Sequence, residues 1–208
     1  EALRGLAQAY SKTGNTKASI AHATKALAVA EELGDEYDIT DSLVSLAGTY
    51  HELDLTAQAR SQIESALTMC SRLEYKQAHI EALLQLASID KTDGLLDQAE
   101  EHTHRAIELA HQGELLRLRG DAEILLAWIT HEKGSHDQAL RHADNAFTIH
   151  QKVNSPYGQT RAAHIKGLAL LAQGHPEQAK LEWMTSLEFF QGPAPEIDAI
   201  RKAVAEIP

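Results

Sequence analysis

Small residues recur along this chain with a period of forty. Ala7, Ala47, Ala87, Ala127 and Gly167 share one register, preceded by Leu6, Leu46, Leu86, Leu126 and Lys166. Seven residues on come Gly14, Asp54, Gly94, Gly134 and Gly174, then Ser19, Ala59, Ala99, Ala139 and Ala179 five residues later. Ala26, Ala66, Ala106, Ala146 and Ser186 complete the set, each followed by an apolar residue: Leu27, Leu67, Ile107, Phe147 and Leu187. Between the breaks, apolar residues fall at helical spacing, as with Leu3, Leu6, Ala7 and Tyr10 in the first run. A second run extends from Thr16 to Leu33 and stops at Gly34-Asp35. Further breaks are expected near Asp54, Glu74, Gly94, Gly113, Gly134, Asn154 and Gly174, where glycine or a short polar residue can take a left-handed backbone.

The pattern predicts two antiparallel helices per unit, with units at about 1–35, 36–75, 76–113, 114–154 and 155–192. A unit this short buries its apolar face only against its neighbours, so the period predicts an all-α solenoid of five helix pairs. Gly192-Pro193-Ala194-Pro195 interrupts the pattern, and Pro195 suits the first turn of another helix. Ile197, Ile200 and Val204 then form one stripe, so residues 193–208 are expected to be a capping helix and tail. The helical pattern begins directly after Glu1, which leads us to expect more repeats or another domain upstream.

Composition narrows the partners. Hydrophobic residues make up 43% and aromatics 5% of the 208 residues, which suits closely packed alanine-rich and leucine-rich helices better than a sheet. The net charge of −11 disfavours direct contact with nucleic acid, which needs a basic face. Such acidity favours a partner with basic or apolar groups, or serves solubility alone. Cys70 stands alone, so no disulfide framework exists and a reducing compartment is expected; its setting is that of a small buried hydrophobe. No apolar run approaches the roughly 18 residues of a membrane span, and no signal-peptide pattern is present, so a cytoplasmic location without membrane contact is expected.

Leu6-Ala7, Tyr10, Gly14, Ser19 and Ala26 resemble the signature of the tetratricopeptide repeat (TPR), as do Leu46-Ala47, Tyr50, Asp54, Ala59 and Ala66. The third and fourth units carry Asp90 and Thr130 where tyrosine is usual, and the fifth has Lys166 for leucine. The usual period is about 34, so forty implies lengthened helices. HEAT and armadillo arrays also have periods of roughly 40–47, but the order Leu-Ala, Gly, Ala, Ala is that of the TPR. The resemblance implies a right-handed superhelix. The stretch from Gln173 to Glu196, with Ile200-Arg201, is further similar to the last repeat and tail of actinobacterial regulators of the antibiotic-regulatory-protein type, as is Glu32-Leu33-Gly34-Asp35 to segments of such arrays. Those proteins join a DNA-binding module and a STAND-type nucleotide-binding core to a TPR sensor. The resemblance thus implies an interaction domain of a multidomain bacterial transcription regulator, with a free-standing adaptor as the alternative.

In TPR arrays the first helices line a concave groove. Carried over by register, its entry row is Glu1, Asp41, Glu81, Asp121 and Arg161, followed by Arg4, Val44, Leu84, Ile124 and His164. Gln8, Gly48, Ser88, Trp128 and Leu168 come next, then Ser11, His51, Lys91, His131 and Leu171. The implied groove has an acidic rim, an apolar middle and a His/Lys/His row, and would take a protein or peptide segment, including one from another domain of the same chain. Val44, Leu84 and Ile124 have an equal alternative as helix-packing residues. Trp128 is singled out because its register equivalents are small, polar or aliphatic, and tryptophan is enriched in binding hot spots. Trp183, on a second helix, is expected to fill the core beside the cap. The Lys/Asn clamp of chaperone-tail receptors is not reproduced, since its positions hold Arg4 with Gln8, Val44 with Gly48 and Leu84 with Ser88.

No catalytic constellation emerges. His131-Glu132…His136 has a spacing of five across Gly134, where a zinc-protease helix needs four without a break. His102 and His104 point to different sides of a helix. His22, His102 and His142 share a register, and solvated histidines are the default among the twelve. Asp90-Lys91-Thr92-Asp93-Gly94 lacks the ligand order of a calcium loop. The expectation is a non-catalytic binding domain without cofactor or metal.

Overall fold

The structure is a computed structural model that describes residues 2–12, 15–189 and 195–207. Glu1, Gly14, Phe190, Gly192, Pro193 and Ala194 of the sequence argument lie outside the described residues, as do the side chains of Gln8 and Ser11. Eleven helices are present among the described residues. They are α1 (Ala2–Lys12), α2 (Thr16–Leu33), α3 (Glu36–Glu52), α4 (Thr56–Leu73), α5 (Lys76–Thr92), α6 (Leu96–Gln112), α7 (Leu116–Glu132), α8 (His136–Lys152), α9 (Pro156–Ala172), α10 (Pro176–Phe189) and α11 (Pro195–Glu206). None of them is long and apolar enough to cross a membrane. The chain divides into two compact units, residues 1–102 and 103–208.

The helix ends are periodic as well. Gly34, Glu74, Glu114 and Asn154 have φ of 67°, 53°, 53° and 51°, and Asp54, Gly94, Gly134 and Gly174 have φ of 57°, 76°, 77° and 81°. Each of the eight turns from α2 to α10 thus reverses through one left-handed residue, whatever its side chain. The third unit's turn falls at Glu114, one residue beyond the expected Gly113. Some starts are capped by side chains: Asp35 accepts from the backbone N–H groups of Tyr37 and Asp38, and Ser155 accepts from that of Gly158 ahead of a helix that begins with Pro156.

In the first unit, Ala47, Ala59 and Ala66 are fully buried and let α3, α4 and α5 approach closely, while Leu43, Val44, Ile63, Leu86 and Ile89 fill the remaining space. Leu46 is buried against Ala7 and Ala23, whereas its equivalent Leu6 is exposed. Cys70 is buried, and burial pushes its thiol up to about 11.

The second unit uses the same small-residue contacts, then alters them. Ala127 and Ala143 pack with Ile165, and Ala146 and Ala162 pack with Ile124. One repeat later, Trp183 occupies the register of Ala143 and Gly167 that of Ala127. The Trp183 ring lies where a Cβ on Gly167 would stand, so the glycine is the space the indole needs. Trp183 is fully buried beside Ala179, Ile200 and Ile207, and its Nε1–H donates to the His164 carbonyl at 3.0 Å. Ile197 and Ile200 of α11 are buried over this end of the unit, and Lys180 Nζ donates to the Ile207 carbonyl at 2.9 Å.

Two of the departures from the tyrosine register, Asp90 and Thr130, also have physical reasons. Asp90 is completely buried; Arg60 donates to its Oδ1 at 2.8 Å, and His102 Nδ1 lies 2.8 Å from its Oδ2. Arg60 also binds Asp93 at 2.9 Å. Thr130 turns its hydroxyl back to the Leu126 carbonyl at 2.7 Å. Glu123, buried where Leu43 and Leu83 stand in earlier repeats, faces His142 Nδ1 at 2.7 Å. The expectation of solvated histidines is therefore corrected at His102 and His142: each is half-buried and satisfies a buried carboxylate, as a carboxylate out of water requires.

Three outcomes are expected. Glu74→Gly should raise unfolding free energy by about 0.5–1 kcal/mol in urea denaturation, because the left-handed backbone penalty outweighs the added chain entropy of glycine. Arg60→Met should lower it by about 3–5 kcal/mol, because it strands a buried carboxylate. Arg72→Met, which removes an exposed pair with Glu36, should leave the same curve almost unchanged.

Candidate functional site

The residues assigned to the groove separate into surface and core. In the first unit they lie on α3 and α5. Val44 is buried in the core with Leu43 and Ile63, which corrects its assignment as a groove contact; it is the filler beside Ala47. Leu84 and Ser88 on α5 are half-buried and retain accessible surface. Asp41 is not an open acidic group. Arg4 reaches it at 3.4 Å and Asp38 at 3.1 Å, and Tyr75 hydrogen-bonds to it. Burial raises the Asp41 carboxyl, against the opposing pull of Arg4, and burial beside Asp41 pushes the Tyr75 hydroxyl up to about 12. Glu81, next in that row, accepts from Gln77 at 3.2 Å.

At the far end of these helices, His51 and Lys91 are half-buried. Desolvation lowers the His51 imidazole, and Lys91 adds to the effect against Asp54 and Glu52. His51 is therefore neutral at neutral pH and offers an acceptor or donor rather than a charge.

The second unit places its groove residues on α7 and α9. Ile124 is completely buried against Ala146 and Ala162, so it too is core and its groove assignment is corrected. His164 is buried as well, edge-on to Trp128 at 5.5 Å between ring centroids and 6.4 Å from Trp183. It supports Trp128 from behind instead of lining an open groove. Trp128 is half-buried, packed along one side on Ile124, Ala127, Phe147 and Leu168, and keeps part of its ring accessible. A tryptophan held in one position while presenting part of its ring is preorganised to receive an apolar group.

Asp121 and Arg161, forty residues apart, bind each other: Arg161 Nη1 donates to Asp121 Oδ1 at 2.9 Å. Arg117 stands 3.6 Å from the other oxygen, and the Arg161 guanidinium lies 5.8 Å over the Tyr157 ring. Two arginines against one aspartate make this end net positive, which corrects the expectation of an acidic rim in this unit. The sequence reading missed Arg117 and Tyr157. Their helical spacing from Asp121 and Arg161, four residues earlier in each case, was the available signal.

His131 is half-buried, and burial lowers its imidazole, assisted by His136, whose ring centroid lies 5.0 Å away. Two rings face each other here, but among the described residues no three of His, Cys, Asp and Glu gather as a metal ion would need.

Known proteins place this geometry in a family. No curated protein sequence matches the chain. Solved structures resemble it in fold at low identity. BtubC from P. vanneervenii is 16% identical with a TM-score of 0.73, over 92% of this chain and 85% of that one. A Rap protein complexed with competence and sporulation factor is 17% identical with a TM-score of 0.80, over 88% of this chain; the chain spans 51% of that protein. The Rap conjugation gene regulator of the plasmid pLS20, in complex with a Phr peptide, is 16% identical with a TM-score of 0.77, over 97% of this chain and 61% of that one. Residues 1–190 match the MalT-like TPR region, and the chain belongs to that family.

Proposed function

We propose that this TPR region is a non-catalytic receptor for a peptide or protein segment, and that Trp128 is its principal contact. The observation that carries the reading is the half-buried, partly accessible Trp128 ring, braced edge-on by His164 at a register where the scaffold elsewhere accepts Ser88 or Gly48. Leu168 beside it extends the apolar surface along α9, and Arg117 and Arg161 supply positive charge at the other end of the same helices. A ligand of this unit would carry an apolar side chain for Trp128 and a carboxylate for the arginines. The Rap structures with bound factors support the reading by fold, since arrays of this kind can hold a ligand.

Within a longer protein, the region would serve as the sensor and interaction domain of a multidomain bacterial transcription regulator. The ligand could then be a segment of another domain in the same chain, held or released according to occupancy. The MalT-like family and the array resemblance at Glu32–Asp35 and Gln173–Glu196 support this setting.

The test is peptide-display selection on the intact chain, followed by anisotropy titration of the selected peptides. Trp128→Ala should weaken them at least tenfold, as expected when a hot-spot aromatic is truncated. Arg161→Ala should weaken acidic peptides more than neutral ones. Equal affinity for wild type and Trp128→Ala would refute the assignment of this face.

A further inference from the structure

His150 is a large residue where the three preceding repeats carry small ones. Its equivalents in those repeats, Ala30, Cys70 and Ala110, are all small and buried, and the sequence carries Phe190 at this register in the last repeat. The imidazole, 1% exposed on α8, fits because both helices against it carry glycine at the contact. A Cβ on Gly120 of α7 would stand 2.7 Å from Nε2, and one on Gly158 of α9 would overlap the ring. The equivalents of these glycines are Thr40, Ile80 and Thr160, and Asp38, Ala78 and Leu118. Two glycines coincide with one histidine, so the site is shaped around the ring.

The ring is poorly satisfied where it lies. Neither nitrogen makes a well-formed hydrogen bond, and only the Gly120 backbone offers the ring a weak contact, which is costly for a buried polar group. Nε2 lies 3.9 Å from Asp121 Oδ1, the oxygen that also accepts from Arg161 Nη1 at 2.9 Å. The charged groups facing His150 are thus Asp121 and Arg117 from α7 and Arg161 from α9, together with the backbone of Gly120.

We propose that His150 is a proton-operated lever on the Asp121–Arg161 pair: when protonated from solvent, its Nε2–H donates to Asp121 Oδ1 and the carboxylate loosens its hold on Arg161. A displacement of about 1 Å brings the 3.9 Å separation into hydrogen-bond range. Desolvation holds the imidazole below its ordinary value of about 6.5, with Asp121 opposing and Arg161 assisting. The neutral ring therefore prevails at neutral pH. The unfolded chain binds this proton more readily, so the residue's contribution to stability falls as pH drops below about 6.5 toward the lowered folded value. Before that loss is complete, the folded unit passes through a state in which Asp121 is shared and the positive end on α7 and α9 is strengthened. The coupling needs no bound ligand and stands apart from the receptor reading.

The experiment is an NMR titration of the intact chain from pH 8 to pH 5, following the His150 ring, the Asp121 carboxyl carbon and the Arg161 guanidinium. All three should step at one midpoint below about 6.5. The step at Asp121 and Arg161 should vanish in His150→Ala/Gly158→Leu, which installs the Ala110–Leu118 pair of the preceding repeat. It should vanish equally in His150→Gln, which keeps the bulk and decides the matter should the double variant not fold. Asp121 and Arg161 signals that stay still while His150 titrates would overturn the proposal. A step that survives in the variants, or a ring that stays neutral until the chain unfolds, would do so as well.

Discussion

Everything in this protein depends on helices approaching one another at small residues. Ala47, Ala87 and Ala127 are completely buried, and each marks a place where a larger side chain would force two backbones apart. The hydrophobic effect drives the stacking, but these contacts set its geometry, because neighbouring knobs such as Leu46 and Leu126 can bury themselves only when the alanines permit it. The left-handed residues that close the turns between α2 and α10 act with this constraint. The backbone reverses at fixed intervals even where glutamate or asparagine must take the strain.

Departures from the rule come in compensated sets. Trp183 is large because Gly167 gives up its Cβ, and His150 is large because Gly120 and Gly158 do the same. Asp90 and Glu123 place carboxylates inside the array, and Arg60, His102 and His142 supply the partners. Trp128 has no such compensation. None of the described glycines opens space for it, and part of its ring stays in solvent. That contrast separates an aromatic residue serving the scaffold from one available to a partner.

Helix pairs, turns and the cap were legible in the sequence because a forty-residue period repeats the same packing demand five times. The burial of Trp183 was legible from the alanines in its register. The groove was less so. Val44 and Ile124 have the same apolar character whether they face a ligand or a neighbouring helix, and only the rotation of α3 and α7 decides it. Charge misled for a related reason: Asp121 reads as an acidic rim until Arg161, forty residues away, is seen to bind it. His150 could have been found from Ala30, Cys70 and Ala110, had the coincident glycines been compared register by register.

The two tryptophans allow a direct test, since each has its own indole N–H signal. Trp183 Nε1–H is buried and bound to the His164 carbonyl, whereas Trp128 on α7 keeps part of its ring accessible. Adding a selected peptide to the labelled chain should shift the Trp128 indole signal and leave that of Trp183 in place. A peptide that binds tightly while the Trp128 signal stays fixed would contradict the account.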